Sequence, residues 1–335
     1  MSLMIEAKGL ARTFKARSGE VHAVRGVDLN VKSGEIVGFL GPNGAGKTTT
    51  LRMLVTLLQP TDGSATVAGC DLRSDAGGVR ERIGYVAQSG GTDPNCLVAE
   101  ELVTQARLYG MSKEAGRARC EELQEQLDLV GLDKRQVKTL SGGQRRRLDI
   151  AMGLVNNPEL VFLDEPTTGL DPHSRANLWE HILKLRDEMG ATVFLTTHYL
   201  DEADALCDRI MVIDHGSVVA EGTPEELKRR VSGDIVTVEV EGDTGVVAEA
   251  AMDVLKGLEG VRDAAADESV IRLTVDEGDK AMMGVMRALD GAGIGLASIQ
   301  MARPTLDDVF LTLTGRSLRE DNQAGDAGGD EVSGG

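Results

Sequence analysis

The fold of the first part of the chain is decided by the stretch Gly41-Pro42-Asn43-Gly44-Ala45-Gly46-Lys47-Thr48. It matches the pattern G-x-x-x-x-G-K-[ST] and lies between a predicted strand at 36–40 and a predicted helix at 46–58. Glycines let backbone N–H groups turn toward an anion, and the first turn of a helix adds a positive dipole end. The stretch therefore predicts a phosphate-binding loop, in which Lys47 reaches the terminal phosphates and Thr48 binds Mg²⁺. The residues expected to bind the nucleotide here are Gly41, Pro42, Asn43, Gly44, Ala45, Gly46, Lys47, Thr48 and Thr49.

A second chemical feature is the pair of carboxylates that ends the apolar strand at 160–163. Asp164 is placed to hold Mg²⁺, because carboxylate oxygen is a ligand that this cation prefers. Glu165 could act as the general base that polarises an attacking water. A third apolar strand at 192–196 completes the pattern of an α/β domain, in which buried strands alternate with amphipathic helices.

The remainder of the chain suggests a change of architecture near residue 230. One long helix is predicted over 113–140, a hairpin over 210–220 with its turn at His215-Gly216, and a short helix over 225–230. From 235 to 301 the pattern reads β-α-β-α-β with room for an extra strand at Val261, which predicts a small α+β domain of the ferredoxin type. A last helix is predicted over 305–313. We therefore expect domains at 3–230 and 233–315, followed by a disordered acidic tail at 316–335.

Composition narrows the class of protein. The 335 residues allow about two domains. The net charge is −18, and 231–335 alone carries 21 acidic and 8 basic residues, which disfavours a general nucleic-acid coat. The four cysteines form no C-x-x-C pair and are expected to be reduced thiols. Because no apolar run approaches the ~20 residues of a membrane span and no signal peptide opens the chain, we expect neither a secreted nor a self-inserting protein.

A family resemblance rests on Leu140-Ser141-Gly142-Gly143-Gln144. With the phosphate loop, this pentapeptide resembles the signature sequence of the ATP-binding subunits of ABC transporters. The resemblance implies a P-loop NTPase fold with a helical subdomain, and a homodimer that binds two ATP with Mg²⁺. In such a dimer, Ser141, Gly142, Gly143 and Gln144 of one copy complete the ATP pocket of the other copy.

Four further residues match family elements in chain order. Gln88 matches the Q-loop glutamine, which touches Mg²⁺ and water. Asp171 matches the D-loop, which crosses the dimer interface, and His198 matches the switch histidine, which contacts the γ-phosphate. Phe14 stands where the family has an aromatic side chain that stacks on adenine. The resemblance thus implies that Glu165, His198, Lys47 and Gln88 act in catalysis, and that the metal is held by Thr48, Gln88 and Asp164.

A narrower resemblance concerns the segments Gln144–Ala151 and Thr305–Phe310. Both look like the daunorubicin-resistance type of ATPase, although three consecutive arginines are also typical of a solvated helix face. This implies an exporter of drugs or antibiotics, whose motor is peripheral to the cytoplasmic face of the cell membrane and works with a separate transmembrane permease subunit. It also implies no nucleic-acid partner.

Two other functions share part of this pattern. An importer motor has every motif of the nucleotide site, so only the narrower resemblance argues against it. A non-transport ABC ATPase acting on ribosomes or DNA is the other alternative. It is disfavoured because every motif occurs once and neither a long coiled coil nor a zinc module is visible in the sequence.

Overall fold

A computed structural model of the chain describes residues 2–16, 19–231, 233–241, 246–267 and 270–314. Contacts divide the chain into two units, with the division between Thr223 and Pro224. The short helix at Pro224–Val231 groups with the second unit, whereas the sequence places 225–230 at the end of the first domain. The predicted domain boundaries, 3–230 and 233–315, stay a proposal. The predicted tail at 316–335 lies outside the described residues.

The first unit contains ten strands, seven α-helices and one 3-10 helix within the described residues. In chain order they are β1 Leu3–Ala16, β2 Gly19–Lys32, β3 Ile36–Leu40, α1 Lys47–Leu54, β4 Asp62–Val67, β5 Cys70–Asp71, α2 Ala76–Arg82, β6 Ile83–Val86, α3 Val98–Leu108, α4 Lys113–Gln126, the 3-10 helix Val137–Thr139, α5 Gly142–Leu154, β7 Leu160–Asp164, α6 Pro172–Asp187, β8 Thr192–Thr197, α7 Leu200–Leu206, β9 Arg209–Asp214 and β10 Ser217–Gly222.

A six-stranded sheet of order β10-β9-β3-β8-β7-β6 forms the centre of this unit. Its pairs are parallel except for the β9–β10 hairpin. Every residue of β3, β7 and β8 is buried, as expected for parallel strands covered on both faces. From β3 the chain continues to β6 on one side of the sheet, whereas from the neighbouring β8 it crosses to β9 on the other side. Ligands bind at the carboxyl ends of strands at such a switch point. This edge therefore carries the segments that follow β3, β6, β7 and β8.

A second, antiparallel sheet of order β2-β1-β4-β5 lies in the same unit. Its long β1–β2 pair was not predicted from the sequence. The signal is present in β2, where the buried residues Val27, Leu29 and Val31 alternate with exposed ones. The α/β class of the first unit is confirmed.

Helices α3, α4 and α5 contact one another and form the predicted helical subdomain. The predicted single helix over 113–140 is wrong, because α4 ends at Gln126. Asp128 and Gly131 follow with positive φ values of 51° and 81°, which an α-helix cannot contain. Leu127 lies just past the end of α4 and is still buried, so the apolar spacing continues where the helix does not. Val130, the next residue of that spacing, is exposed. The helix predicted over 46–58 is likewise shorter, since α1 ends at Leu54.

The second unit is an α+β fold. Its elements are α8 Pro224–Val231, β11 Asp234–Val240, α9 Val246–Lys256, β12 Val261–Asp267, β13 Val270–Val275, α10 Gly278–Gly291, β14 Leu296–Ala302 and α11 Leu306–Thr314. The sheet has the order β12-β13-β11-β14 with antiparallel pairs. This β-α-β-β-α-β path confirms the predicted ferredoxin type and includes the strand expected at Val261. Among the described residues, none of the helices has the length and apolar character of a membrane span.

Candidate nucleotide site

The phosphate loop connects β3 to α1 in a conformation that depends on glycine. Gly46 precedes α1 with φ 106°, and a Cβ there would lie 2.6 Å from the Ala23 carbonyl oxygen. A Cβ on Gly41 would lie 2.3 Å from the Ile213 carbonyl oxygen. The loop borders a cavity of about 380 Å³, within the size range of small-molecule sites. The residues that line the cavity are Ala23, Pro42, Asn43, Gly44, Gly46, Lys47, Thr48, Thr49, Gln88 and Glu165. Ala23 was not predicted, because a small residue on a strand carries no sequence signal for ligand contact.

Lys47 is buried at the base of this cavity. Its Nζ donates hydrogen bonds to the carbonyl oxygens of Gly41 at 2.7 Å and Pro42 at 3.1 Å. The same atom lies 3.3 Å from Oε1 of Glu165. Burial lowers the pKa of Lys47, and the carboxylate of Glu165 opposes that effect. The ammonium is therefore held in place where it can meet a phosphate.

Glu165 lies at the centre of the predicted catalytic residues, directly after β7. Its Oε2 accepts a hydrogen bond from Nε2 of Gln88 at 2.8 Å and one from the Thr168 hydroxyl at 3.3 Å. Nδ1 of His198 lies 3.3 Å from the same oxygen. Burial would raise the pKa of Glu165, but His198 and the charge of Lys47 outweigh it and lower that pKa to about 2. The carboxylate is thus ionised across the physiological pH range.

The backbone of Glu165 has an uncommon conformation for a residue other than glycine, with φ 44°. Its N–H donates to the carbonyl and hydroxyl oxygens of Thr196, both at 3.1 Å, so that β8 fixes this conformation. Such strained positions recur at functional sites. Thr168 and Thr196 were not predicted, because threonines within or after a strand are common and their contacts appear only in the fold.

Thr48 and Asp164 place hard oxygen ligands at the same edge of the sheet. The Thr48 hydroxyl donates to Oδ1 of Asp164 at 3.1 Å, and the Thr196 hydroxyl donates to that oxygen at 2.6 Å. A hydroxyl and one carboxylate beside a phosphate loop fit Mg²⁺, which is commonly held by one or two carboxylates together with substrate phosphates. The described residues contain no cluster of three or more His, Cys, Asp or Glu side chains of the kind that suits an all-protein metal cage.

The signature residues stand at the start of α5. The Ser141 hydroxyl accepts from the Gln144 N–H at 3.2 Å, and Oε1 of Gln144 accepts from the Ser141 N–H at 3.1 Å, which makes a capping box. A Cβ on Gly142 or Gly143 would contact Leu170 or Ser174, so this helix start packs beside the start of α6. Among the described residues, the cavity at the phosphate loop of the same chain is lined by none of Ser141, Gly142, Gly143 and Gln144.

Asp171 caps the start of α6. Its carboxylate accepts hydrogen bonds from the N–H groups of His173 and Ser174 and from the Ser174 hydroxyl, at 3.1, 3.0 and 2.6 Å. These bonds, led by the one from the Ser174 side chain, lower the pKa of Asp171. Asp171 is exposed and adjoins the signature residues, so both predicted interface elements lie on neighbouring helix starts.

Phe14 lies on β1 near its turn into β2, where it pairs with Val21. The Arg12 guanidinium stands over its ring at 4.7 Å from the centroid. The ring is 36% exposed, so it has surface available for a second aromatic group. Among the described residues that line the phosphate-loop cavity, Phe14 is absent. Its contact with adenine stays a proposal.

Comparison with known proteins shows which family the chain resembles. The family described as ABC transporter matches residues 24–168, and the C-terminal domain of DrrA1-3-like ATP-binding proteins matches residues 222–314. The chain is 44% identical to daunorubicin resistance ATP-binding protein DrrA3 of Streptomyces coeruleorubidus, over 90% of this chain and 94% of that protein. It is 42% identical to doxorubicin resistance ATP-binding protein DrrA of Mycobacterium tuberculosis, over 93% and 94% of the two chains.

Solved structures give the same answer for the fold. A dimeric ATP-binding cassette in a post-hydrolysis state, bound to ADP and Pi, superposes with a TM-score of 0.61 at 30% identity, over 66% of this chain and 98% of that one. A cbiO1 structure from Clostridium perfringens superposes with a TM-score of 0.61 at 28% identity, over 69% and 95%. From the relatives and the fold together, the chain belongs to the ABC transporter family of ATPases, as an ATP-binding subunit of the daunorubicin/doxorubicin-resistance type.

Proposed function

We propose that this chain is the ATP-hydrolysing motor of an exporter for drugs or antibiotics. It works as a homodimer with a separate transmembrane permease subunit, at the cytoplasmic face of the cell membrane and without a nucleic-acid partner. The observation that carries the catalytic part is the grouping of Lys47, Gln88 and His198 around one carboxylate, that of Glu165, beside the phosphate loop. The names of the relatives favour export over import.

In the proposed site, Lys47 and the loop N–H groups bind and orient the phosphates. Bound Mg²⁺, held by Thr48, Asp164 and Gln88, would supply charge neutralisation at the phosphate oxygens. Glu165 accepts a proton from the attacking water, and His198 orients the γ-phosphate. Phosphoryl transfer requires little covalent chemistry from the protein. The rate enhancement therefore comes from positioning the reactants and from electrostatic stabilisation of the transition state.

The dimer part of the proposal concerns two exposed helix starts. The start of α5 presents N–H and hydroxyl groups to the γ-phosphate bound by the second copy, from Ser141, Gly142, Gly143 and Gln144. Asp171 lies beside them at the start of α6. A γ-phosphate that touches both copies favours the closed dimer, and its loss on hydrolysis removes that preference. The permease then converts closure and reopening into alternating access.

A tag on the full chain, purification from native membranes and mass spectrometry of the bound proteins test the transport assignment. A multispan membrane protein is expected, whereas recovery of only soluble or ribosomal proteins would overturn the transport assignment.

The direction of transport is tested in inverted vesicles that carry this complex. ATP-dependent accumulation of a labelled drug in these vesicles means export, and the Glu165→Gln complex is the matched control. Accumulation only in right-side-out vesicles would show an importer.

A further inference from the structure

Arg146 of α5 is buried, although its neighbour Arg145 is exposed. Its three guanidinium nitrogens donate to three backbone carbonyls from two separate segments of the chain. Nη1 donates to Ala87 at 2.6 Å, Nε donates to Pro166 at 2.7 Å and Nη2 donates to Asp164 at 3.1 Å. The interpretation of all three arginines as a solvated helix face is therefore wrong for Arg146.

These carbonyls belong to the peptides that flank the proposed catalytic residues. Ala87 immediately precedes Gln88, while Asp164 and Pro166 stand on either side of Glu165. Gln88 and Glu165 in turn share a side-chain hydrogen bond of 2.8 Å. Arg146 thus holds the backbone on both sides of this bond. A planar guanidinium has donors in a fixed fork, whereas a lysine ammonium is a single point and cannot reach three separated carbonyls together.

Asp149, one turn later on α5, compensates the buried charge and extends the contact. Its Oδ2 lies 4.0 Å from Nη1 of Arg146. Its Oδ1 accepts from the Gly91 N–H at 3.3 Å and from the Thr92 hydroxyl at 3.4 Å. A buried charge is tolerated when it is paired and hydrogen-bonded. Together, Arg146 and Asp149 attach the segment 87–92 to the helix that begins with the signature residues.

We propose that Arg146, supported by Asp149, is a positioning residue for ATP hydrolysis, which fixes Gln88 and Glu165 relative to helix α5. Because Ser141 caps the start of α5, a shift of this helix when a nucleotide is clamped is transmitted to both side chains through the guanidinium. The inference rests on the proposed role of Glu165. It adds a residue that is absent from the described lining of the phosphate-loop cavity and acts through the backbone around two residues, Gln88 and Glu165, that do line it.

The first test compares Arg146→Lys and Arg146→Met with Arg145→Lys and Arg145→Met in the full chain. We measure kcat and KM for MgATP, together with the Kd of labelled ATP in EDTA. Both Arg146 variants should lose about tenfold to a hundredfold in kcat, because small displacements of catalytic groups have effects of that size. Their Kd should stay within about threefold, since the phosphate loop is untouched. The Arg145 variants should match the wild type.

The second test does not depend on turnover. Amide hydrogen exchange of the full chain should become faster in 87–92 and 164–168 in Arg146→Met, while 36–54 and the second unit stay as in the wild type. Asp149→Asn keeps the size of the side chain but removes its charge and one acceptor oxygen. It provides a milder variant if Arg146→Met folds poorly, and it should accelerate exchange in 87–92.

A double-mutant cycle with Gln88→Ala connects the two tests. If Arg146 acts through Gln88 and Glu165, the Arg146→Lys substitution should lower kcat less in the Gln88→Ala background than in the wild type. Unchanged exchange in 87–92 and 164–168 would overturn the proposal. So would equal losses in kcat and ATP affinity accompanied by faster exchange throughout the first unit, because these indicate a purely structural role. Near wild-type turnover by Glu165→Gln would instead overturn the proposed function, and the exchange result would stand apart from it.

Discussion

Replacing Glu165 by glutamine tests the proposed catalytic centre most directly. The substitution removes one negative charge and keeps the shape of the side chain. Gln88 donates a hydrogen bond of 2.8 Å to Glu165, and the amide oxygen of a glutamine can still accept it. The hydrogen bonds from Lys47 to the carbonyls of Gly41 and Pro42 are not affected by the substitution. The phosphate loop is therefore expected to bind ATP as in the wild type.

The expected loss is one of rate. A positioned general base contributes about 10²- to 10⁴-fold, which corresponds to about 2.7–5.4 kcal/mol in activation free energy. We expect kcat of Glu165→Gln to fall by this factor, with the Kd for ATP unchanged. Because unhydrolysed ATP stays bound, MgATP should convert the variant into a stable dimer. Phosphate release, equilibrium binding and sedimentation velocity measure the three quantities.

The matched control is Glu180→Gln, which makes the same chemical change at an exposed position of α6. It should hydrolyse ATP at the wild-type rate. Turnover by Glu165→Gln within a few-fold of wild type would refute the assignment of Glu165 as the base. A variant that binds ATP without hydrolysing it and yet remains monomeric would refute the composite site.

Four further outcomes follow from the same geometry. Because the pKa of Glu165 lies near 2 in the folded chain and below its ordinary 4.5, its charge stabilises the fold above pH 4.5; urea titrations should show that this advantage over Glu165→Gln vanishes as the pH falls from 4.5 toward 2. Lys47→Ala should weaken ATP binding by about tenfold to a hundredfold in equilibrium dialysis, through loss of charged hydrogen bonds, and an unchanged Kd would remove Lys47 from the site. Phe14→Ala should weaken ATP binding by about five- to a hundredfold if the ring stacks on adenine, while Phe14→Trp keeps the affinity; equal affinities of all three forms would leave the ring with its Arg12 contact alone. Ending the chain before Pro224 should leave ATP binding intact, since the phosphate loop lies in the first unit; loss of binding with unchanged circular dichroism would contradict this.

Much of the candidate nucleotide site could be predicted because its determinants are local. The phosphate loop needs glycines at fixed offsets, and the carboxylates directly follow an apolar strand. Parallel strands place their carboxyl ends along one edge, which brings Gln88, Asp164 and His198 together once β6, β7 and β8 are adjacent. The ferredoxin-type unit was also predictable, because its half-buried strands alternate with period 2 in the sequence.

The remaining features depend on contacts between distant segments. The end of α4 at Gln126 was missed because buried Leu127 keeps the helical spacing although the backbone leaves the helix. Burial of Arg146 could not be predicted, since three consecutive arginines look alike until α5 is packed against the carbonyls of Ala87 and Pro166. The antiparallel sheet joins β1 to β4 across many residues, and no short-range pattern predicts such a pairing.

The ion pair between Lys47 and Glu165 has a consequence for how ATP enters the site. The chain carries its own competitor for the lysine, a carboxylate that lies 3.3 Å from Nζ and is buried with it. A phosphate must displace this carboxylate from the ammonium. Because the carboxylate is tethered, its effective concentration is set by the fold and does not depend on the concentration of ATP. When the phosphate takes over the ammonium, Glu165 loses a cation that lowers its pKa, and the carboxylate becomes a stronger proton acceptor. In the proposed mechanism, a single exchange of counter-ions thus admits ATP to Lys47 and strengthens Glu165 as the proton acceptor.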